Sequence, residues 1–142
     1  MYDQSGKLRH PNGKELSSLE WRYLKQLRDA ELPEPVFQFA LPDWPRSSYD
    51  FAWPNRKILV EINGGSWIKG AHGRGWGITR DCIKQNRASL AGYHLLSFTS
   101  DMIREGLALE ATRKALNTFP DLLEMAKYLV EVANFDNGSI SG

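Results

Sequence analysis

The residues that most restrict the fold are 48–65, SYDFAWPNRKILVEINGG, in which two acids stand among apolar neighbours. Read as a β-hairpin turning at Asn55 and Arg56, this stretch sets Asp50 directly opposite Glu61, with both side chains on one face. Opposed residues hold their Cβ atoms about 4.5–5.5 Å apart. Carboxylates that close repel, and Ile58, Leu59, Val60 and Ile62 mark a buried strand. One acid must therefore stay protonated, or a cation must lie between them. A divalent ion held by hard oxygen ligands resolves the conflict; magnesium is the expected ion, with manganese as its substitute. On the face of Asp50 only Ser48 and Ala52 stand near it, which leaves space for a ligand, while Tyr49, Phe51 and Trp53 are expected on the other face as core.

A chain of 142 residues, 42% of them hydrophobic, suits one compact domain with a single core. The net charge of +1 selects no partner, but its distribution is uneven. Lys69, Arg74, Arg80, Lys84 and Arg87, with His72, face only Asp81, whereas residues 121–136 carry four acids against Lys127. A basic centre beside an acidic end suits a face for a polyanion; ordinary solvated charge is the plain alternative. The sole cysteine, Cys82, excludes an internal disulfide, fits a reducing cytoplasm and is expected to be a small buried residue. With no apolar run of membrane-spanning length and no signal-peptide core, the expectation is a soluble, cytoplasmic protein.

In order, the chain predicts a flexible arm over residues 1–13, one domain over 14–134 and a frayed tail over 135–142. Residues 16–30 have helical spacing, with Leu16, Leu19, Tyr23, Leu24 and Leu27 on one stripe. Glu20 falls inside that stripe, where a carboxylate needs a partner. Ser17-Ser18-Leu19-Glu20 also reads as a capping box, and a first-turn glutamate can cap and still point inward. Residues 36–41 form a short strand. Six glycines in residues 64–77 predict an irregular loop. Its Trp67 and Trp76, with Lys69, His72 and Arg74, suit a nucleic-acid strand, the rings stacking on bases and the cations meeting phosphates; a surface loop with its tryptophans tucked into the core is the alternative. Residues 78–92 predict a helix with Ile78, Cys82, Ile83, Asn86 and Leu90 on its inner side, followed by a strand over 93–99. That order implies a right-handed crossover with the Glu61 strand parallel to the Leu95 strand. Ser100 is expected to cap a helix to about residue 117, and Pro120 to open a last one to about residue 133.

Helix, three strands, helix, strand, with Glu20, Asp50 and Glu61 placed in this way, resembles the PD-(D/E)XK nuclease superfamily over about residues 16–101. The run YDFAWPNRKILVEINGG, then Asp81 and Lys84, then LAGYHLLSFTSDMI, are most similar to very-short-patch-repair endonucleases and their small bacterial and phage relatives. The resemblance implies an α/β, restriction-endonuclease-like αβββαβ core: a four-stranded mixed sheet flanked by helices, with extra C-terminal helices. It also implies a magnesium-dependent DNA endonuclease in phage or bacterial DNA processing, and in the host cytoplasm if phage-encoded; so short a chain leaves no room for a separate sequence-reading domain, which suits structure-selective cleavage of branched or mismatched DNA. Asp50 and Glu61 hold the metal in this reading, with the carbonyl of Ile62, and Glu20 reaches it directly or through water. Asn63 departs from the pattern, because the superfamily places its lysine there. Either the lysine's role has moved or activity is weak. Lys84 and Gln85 on the following helix and His72 in the loop are the candidates to replace it; on a helical wheel Lys84 projects away from the apolar stripe and Gln85 lies at its edge. Two rivals stand beside the enzyme: a nuclease-fold module that only binds DNA or a protein, and a structural or assembly protein in which Asp50 and Glu61 pair with Arg56, Lys57 or other cations as ordinary salt bridges. The superfamily includes RNA-acting members, and a homodimer would supply two cuts.

Overall fold

The computed structural model describes residues 15–63 and 71–140, apart from the side chains of 71–76, 139 and 140. Four strands, β1 (Val36–Leu41), β2 (Trp44–Trp53), β3 (Ile58–Ile62) and β4 (His94–Phe98), form one sheet in the order β1-β2-β3-β4. The first two pairings are antiparallel and β3 runs parallel to β4, so the chain must cross over, which it does through helix α2 (Ala71–Leu90). β2 turns into β3 through a 3-10 turn, Pro54–Arg56, with Lys57 in the left-handed region. The pairs Phe51↔Val60, Ala52↔Leu59 and Trp53↔Ile58 give the register expected from the sequence.

Alternation along the strands sends apolar side chains to both faces of the sheet. On one face Phe37, Phe51, Ile58, Val60 and Phe98 pack with helix α1 (Ser18–Asp29) through Tyr23, Leu24 and Leu27. Helices α3 (Ser100–Arg104) and α4 (Leu107–Thr118) join the same core through Ile103, Ala108, Ala115 and Leu116. Tyr23 and Thr112 share a buried 2.7 Å hydrogen bond that fixes α1 to α4. On the other face Leu41, Tyr49, Ala52 and Leu59 pack with Ala88 of α2. A mixed sheet between helical layers is thus the α/β core the sequence predicts.

Several local expectations are corrected. The glycine-rich stretch is helical from Ala71 onward, because glycine lowers helix stability by about 1 kcal/mol per residue without forbidding it. On α2 the apolar stripe read from the sequence faces outward: Ile78, Ile83, Leu90 and Cys82 are exposed, while Lys84 and Ala88 are buried. Tyr49 does not share a face with Phe51 and Trp53; it belongs to the α2 side of the sheet. The helix after β4 is capped by Thr99, not Ser100, and breaks at Gly106, whose φ of +83° starts α4. A side chain at Gly106 meets nothing within 4 Å, so Gly106→Ala is expected to cost only the left-handed backbone penalty, about 1–2 kcal/mol in chemical denaturation. Helix α5 (Leu122–Ile140), capped by Asp121, ends later than the residue 133 expected from the sequence. Among the described residues no helix is long and apolar enough to cross a membrane.

Candidate active site

Beyond the Phe51↔Val60 pair, carboxylates take over the backbone donors at the open end of β2 and β3. The Asp50 amide donates to Glu61 Oε1 at 3.2 Å, and the Ile62 amide donates to Asp50 Oδ2 at 2.8 Å. Each acid is therefore oriented by the other's strand. Lys84 reaches across from α2: its Nζ donates to Glu61 Oε1 at 2.9 Å and to the Ser48 carbonyl at 2.7 Å, with the two side chains only 6% and 13% exposed. The ammonium also lies 4.8 Å from the centre of the Tyr49 ring, whose hydroxyl donates to the Lys84 carbonyl at 2.7 Å. Ala88, one turn further on, is small and packs with Tyr49 and Leu59 against the sheet, and Lys84 on the same helix face is buried.

Burial is the main electrostatic influence here. It pushes the Glu61 carboxyl up to about 7, with repulsion from Asp50 adding to it and the Lys84 charge opposing it. Asp50 is also raised, first by burial; the Ile62 amide, Lys84 and Gln38 pull it down, and the charge of Glu20 pushes it up. Glu20 makes the capping box with Ser17, its carboxylate accepting from the Ser17 amide at 3.3 Å, while its charge is felt at Asp50. Among the described residues no three of His, Cys, Asp and Glu converge where one ion could take them all. The acids gathered at the sheet end are thus the pair Asp50 and Glu61.

A depression beside the pair is lined by Glu61, Asn63, Asp81, Lys84, Leu95 and Ser97. Asn63 and Lys84 border the same space. The lysine from α2 therefore reaches the region that the strand position occupies, even though the helical wheel pointed it elsewhere. Gln85, the other candidate, is exposed and takes no part in this cluster. His72, Arg74 and Trp76 lie in the first turns of α2 with side chains outside the described set; Trp67 and Lys69 lie outside the described residues. Arg56 and Lys57 are engaged elsewhere, Arg56 with the Leu116 and Phe119 carbonyls at 2.9 Å and Lys57 over the Tyr93 ring. They do not neutralise the acids; the cation that pairs with Glu61 is Lys84. Sequence reasoning missed Gln38, whose amide donates to Asp50 Oδ1 at 3.4 Å, and Ser48, whose hydroxyl donates to Gln38 Oε1 at 2.6 Å. A polar residue between Phe37 and Phe39 in an otherwise apolar strand was the available signal.

Helix, three strands, crossover helix and strand form an α/β domain with paired carboxylates where the two central strands part. Among solved structures the chain is similar to the catalytic domain of the homing endonuclease I-Bth0305I, with a TM-score of 0.55 over 72% of this chain and 97% of that one. Identity is 18%, so the likeness is one of fold. No protein-family model and no curated protein matches the sequence.

Proposed function

We propose that this chain is a magnesium-dependent endonuclease hydrolysing phosphodiester bonds in DNA. The observation that carries the reading is the buried Lys84 ammonium beside the half-buried Asp50–Glu61 pair, in the same depression as Asn63. Two carboxylates raised by burial, Glu61 also by repulsion from Asp50 and Asp50 by the charge of Glu20, are the donor chemistry that suits Mg²⁺, which is commonly bound by one or two carboxylates with water and substrate phosphate completing its shell. Asp50 and Glu61 would hold it, with the Ile62 carbonyl, and Glu20 through water. When bound, the ion supplies Lewis-acid stabilisation of phosphoryl oxygens and acidifies water.

The chain's own residues do the rest. The Ile62 amide and the Gln38 amide fix the Asp50 carboxylate, and the Asp50 amide fixes that of Glu61. Lys84 is held by a carboxylate, a carbonyl and a ring, so its charge needs no reorganisation to stabilise the negative charge that builds on a phosphoryl group. The basic and aromatic residues Lys69, His72, Arg74, Trp67 and Trp76 are the proposed contacts to the DNA strand, and the fold relative being an endonuclease domain supports DNA as the polymer. Branched or mismatched DNA in phage or bacterial DNA processing is the proposed setting.

The test is cleavage of labelled linear, nicked, mismatched and four-way-junction DNA with Mg²⁺ or Mn²⁺. Cutting that stops on chelation and resumes on metal addition is expected. Salt-sensitive DNA binding with no cutting of any substrate under either metal would instead establish an inert nuclease-fold module.

A further inference from the structure

Asp50 is steered by more than its own strand. Gln38, in the middle of β1, has a φ of +49°, a left-handed conformation that residues with a Cβ seldom adopt inside a strand. Its neighbours split across the sheet, Phe37 to the α1 side and Phe39 to the α2 side, and the β1–β2 ladder shifts just beyond, between Phe39 and Leu41. The result is a polar side chain beside Asp50 in a strand otherwise committed to the core. An amide has two chemically different ends, and its orientation here is decided by its partners. The Ser48 hydroxyl donates to Gln38 Oε1 at 2.6 Å, which leaves Nε2 as the end facing Asp50 Oδ1 at 3.4 Å. The reverse orientation would set two oxygens against each other.

These contacts close a circuit. Gln38 holds Asp50, Ser48 holds Gln38, the Ser48 carbonyl holds Lys84, Lys84 holds Glu61, and Glu61 accepts from the Asp50 amide. Strained backbone that brings a side chain into such a circuit is a cost the fold carries for the site. We infer that Gln38, oriented by Ser48, is a positioning residue that presets the Asp50 carboxylate for a divalent cation. This rests on the reading of Asp50 and Glu61 as the metal-binding pair.

The experiment is calorimetric titration of the full chain with Mn²⁺ and Mg²⁺, together with thermal melting of the metal-free protein. Gln38→Asn keeps a residue tolerant of the left-handed backbone but is one methylene too short to reach Asp50. It is expected to weaken metal affinity about 10- to 100-fold, the usual effect of losing a group that orients a ligand, with the melting temperature unchanged or raised. Ser48→Ala frees the amide to flip and should lose affinity less, and the double variant should be no worse than Gln38→Asn alone, because both act through one contact. Wild-type affinity retained in Gln38→Asn would overturn the inference alone, as would a lowered melting temperature with unchanged affinity, which marks a merely structural residue. A wild-type protein that takes up neither ion would overturn the metal-site reading and this inference with it.

Discussion

Lys84→Met is expected to lower DNA cleavage by about 10²- to 10⁴-fold while leaving metal binding unchanged or tighter. The size is that of removing one fixed electrostatic stabiliser or proton donor from a transition state. Metal binding should not suffer, because the substitution removes a cation that competes for Glu61 Oε1. Methionine keeps an unbranched side chain at this buried position, so the packing of α2 on the sheet is retained. Stability should fall above neutral pH, where Glu61 is left charged and buried; breaking such a pair costs about 3–5 kcal/mol at most. Glu61 escapes much of that by taking up a proton at lower pH, so the loss should shrink towards pH 5. Single-turnover cleavage at saturating metal, with melting curves at the same pH, separates lost chemistry from lost fold. Lys84→Arg is not expected to rescue, since a planar guanidinium does not fit a site where the lysine is 6% exposed and bound at 2.7 and 2.9 Å. Cleavage at the wild-type rate in Lys84→Met would sink the role given to Lys84.

Residues that act through short-range rules were legible in the sequence, and those that depend on how far a helix approaches the sheet were not. The β2–β3 register followed from turn position and alternation, which is why Asp50 and Glu61 could be paired before the fold was known. The capping box at Ser17 and Glu20 is likewise local chemistry. Lys84 was harder, because hydrophobic periodicity takes Ile78, Ile83 and Leu90 for the buried stripe, whereas α2 touches the sheet over a narrow face in which one small residue, Ala88, sets the distance. A lysine stem counts as apolar in that setting while its head is claimed by Glu61, and no hydropathy pattern records this. Gln38 was missed and Tyr49 misplaced for a different reason. Strict alternation assumes regular strands, and the β1–β2 ladder is irregular here: Gln38 is left-handed, the register shifts just beyond it, and the paired Phe39 and Tyr49 both lie on the α2 side. The helix break at Gly106 is the same kind of miss: a glycine inside a helical pattern is tolerated in one place and ends the helix in another.

Glu61→Gln should separate the two costs the site carries, buried charge and metal binding. A carboxyl whose pKa is raised on folding, here from 4.5 to about 7, holds more protons in the native state than in the unfolded chain across that interval. Stability of the metal-free protein therefore falls as pH rises through the interval, and the penalty, at most about 3 kcal/mol, is fully present above it. Glutamine cannot ionise but can still accept from the Asp50 amide and from Lys84, so the variant should lose most of that pH dependence without losing the fold. At the proposed metal site magnesium would act on the opposite side of the balance, because it would bind the ionised pair and release the protons the pair had kept. In the wild-type protein the rise in melting temperature on adding Mg²⁺ should be larger near pH 8 in absolute terms than near pH 5.5, and it should be absent in Glu61→Gln, with metal affinity down by more than about 100-fold. If the variant keeps the wild-type slope of stability against pH, the titrating group lies elsewhere; if it keeps magnesium-dependent stabilisation, Glu61 is not a ligand. The two measurements fail independently, so the account of why the acids are raised and the account of what they bind can each be wrong alone.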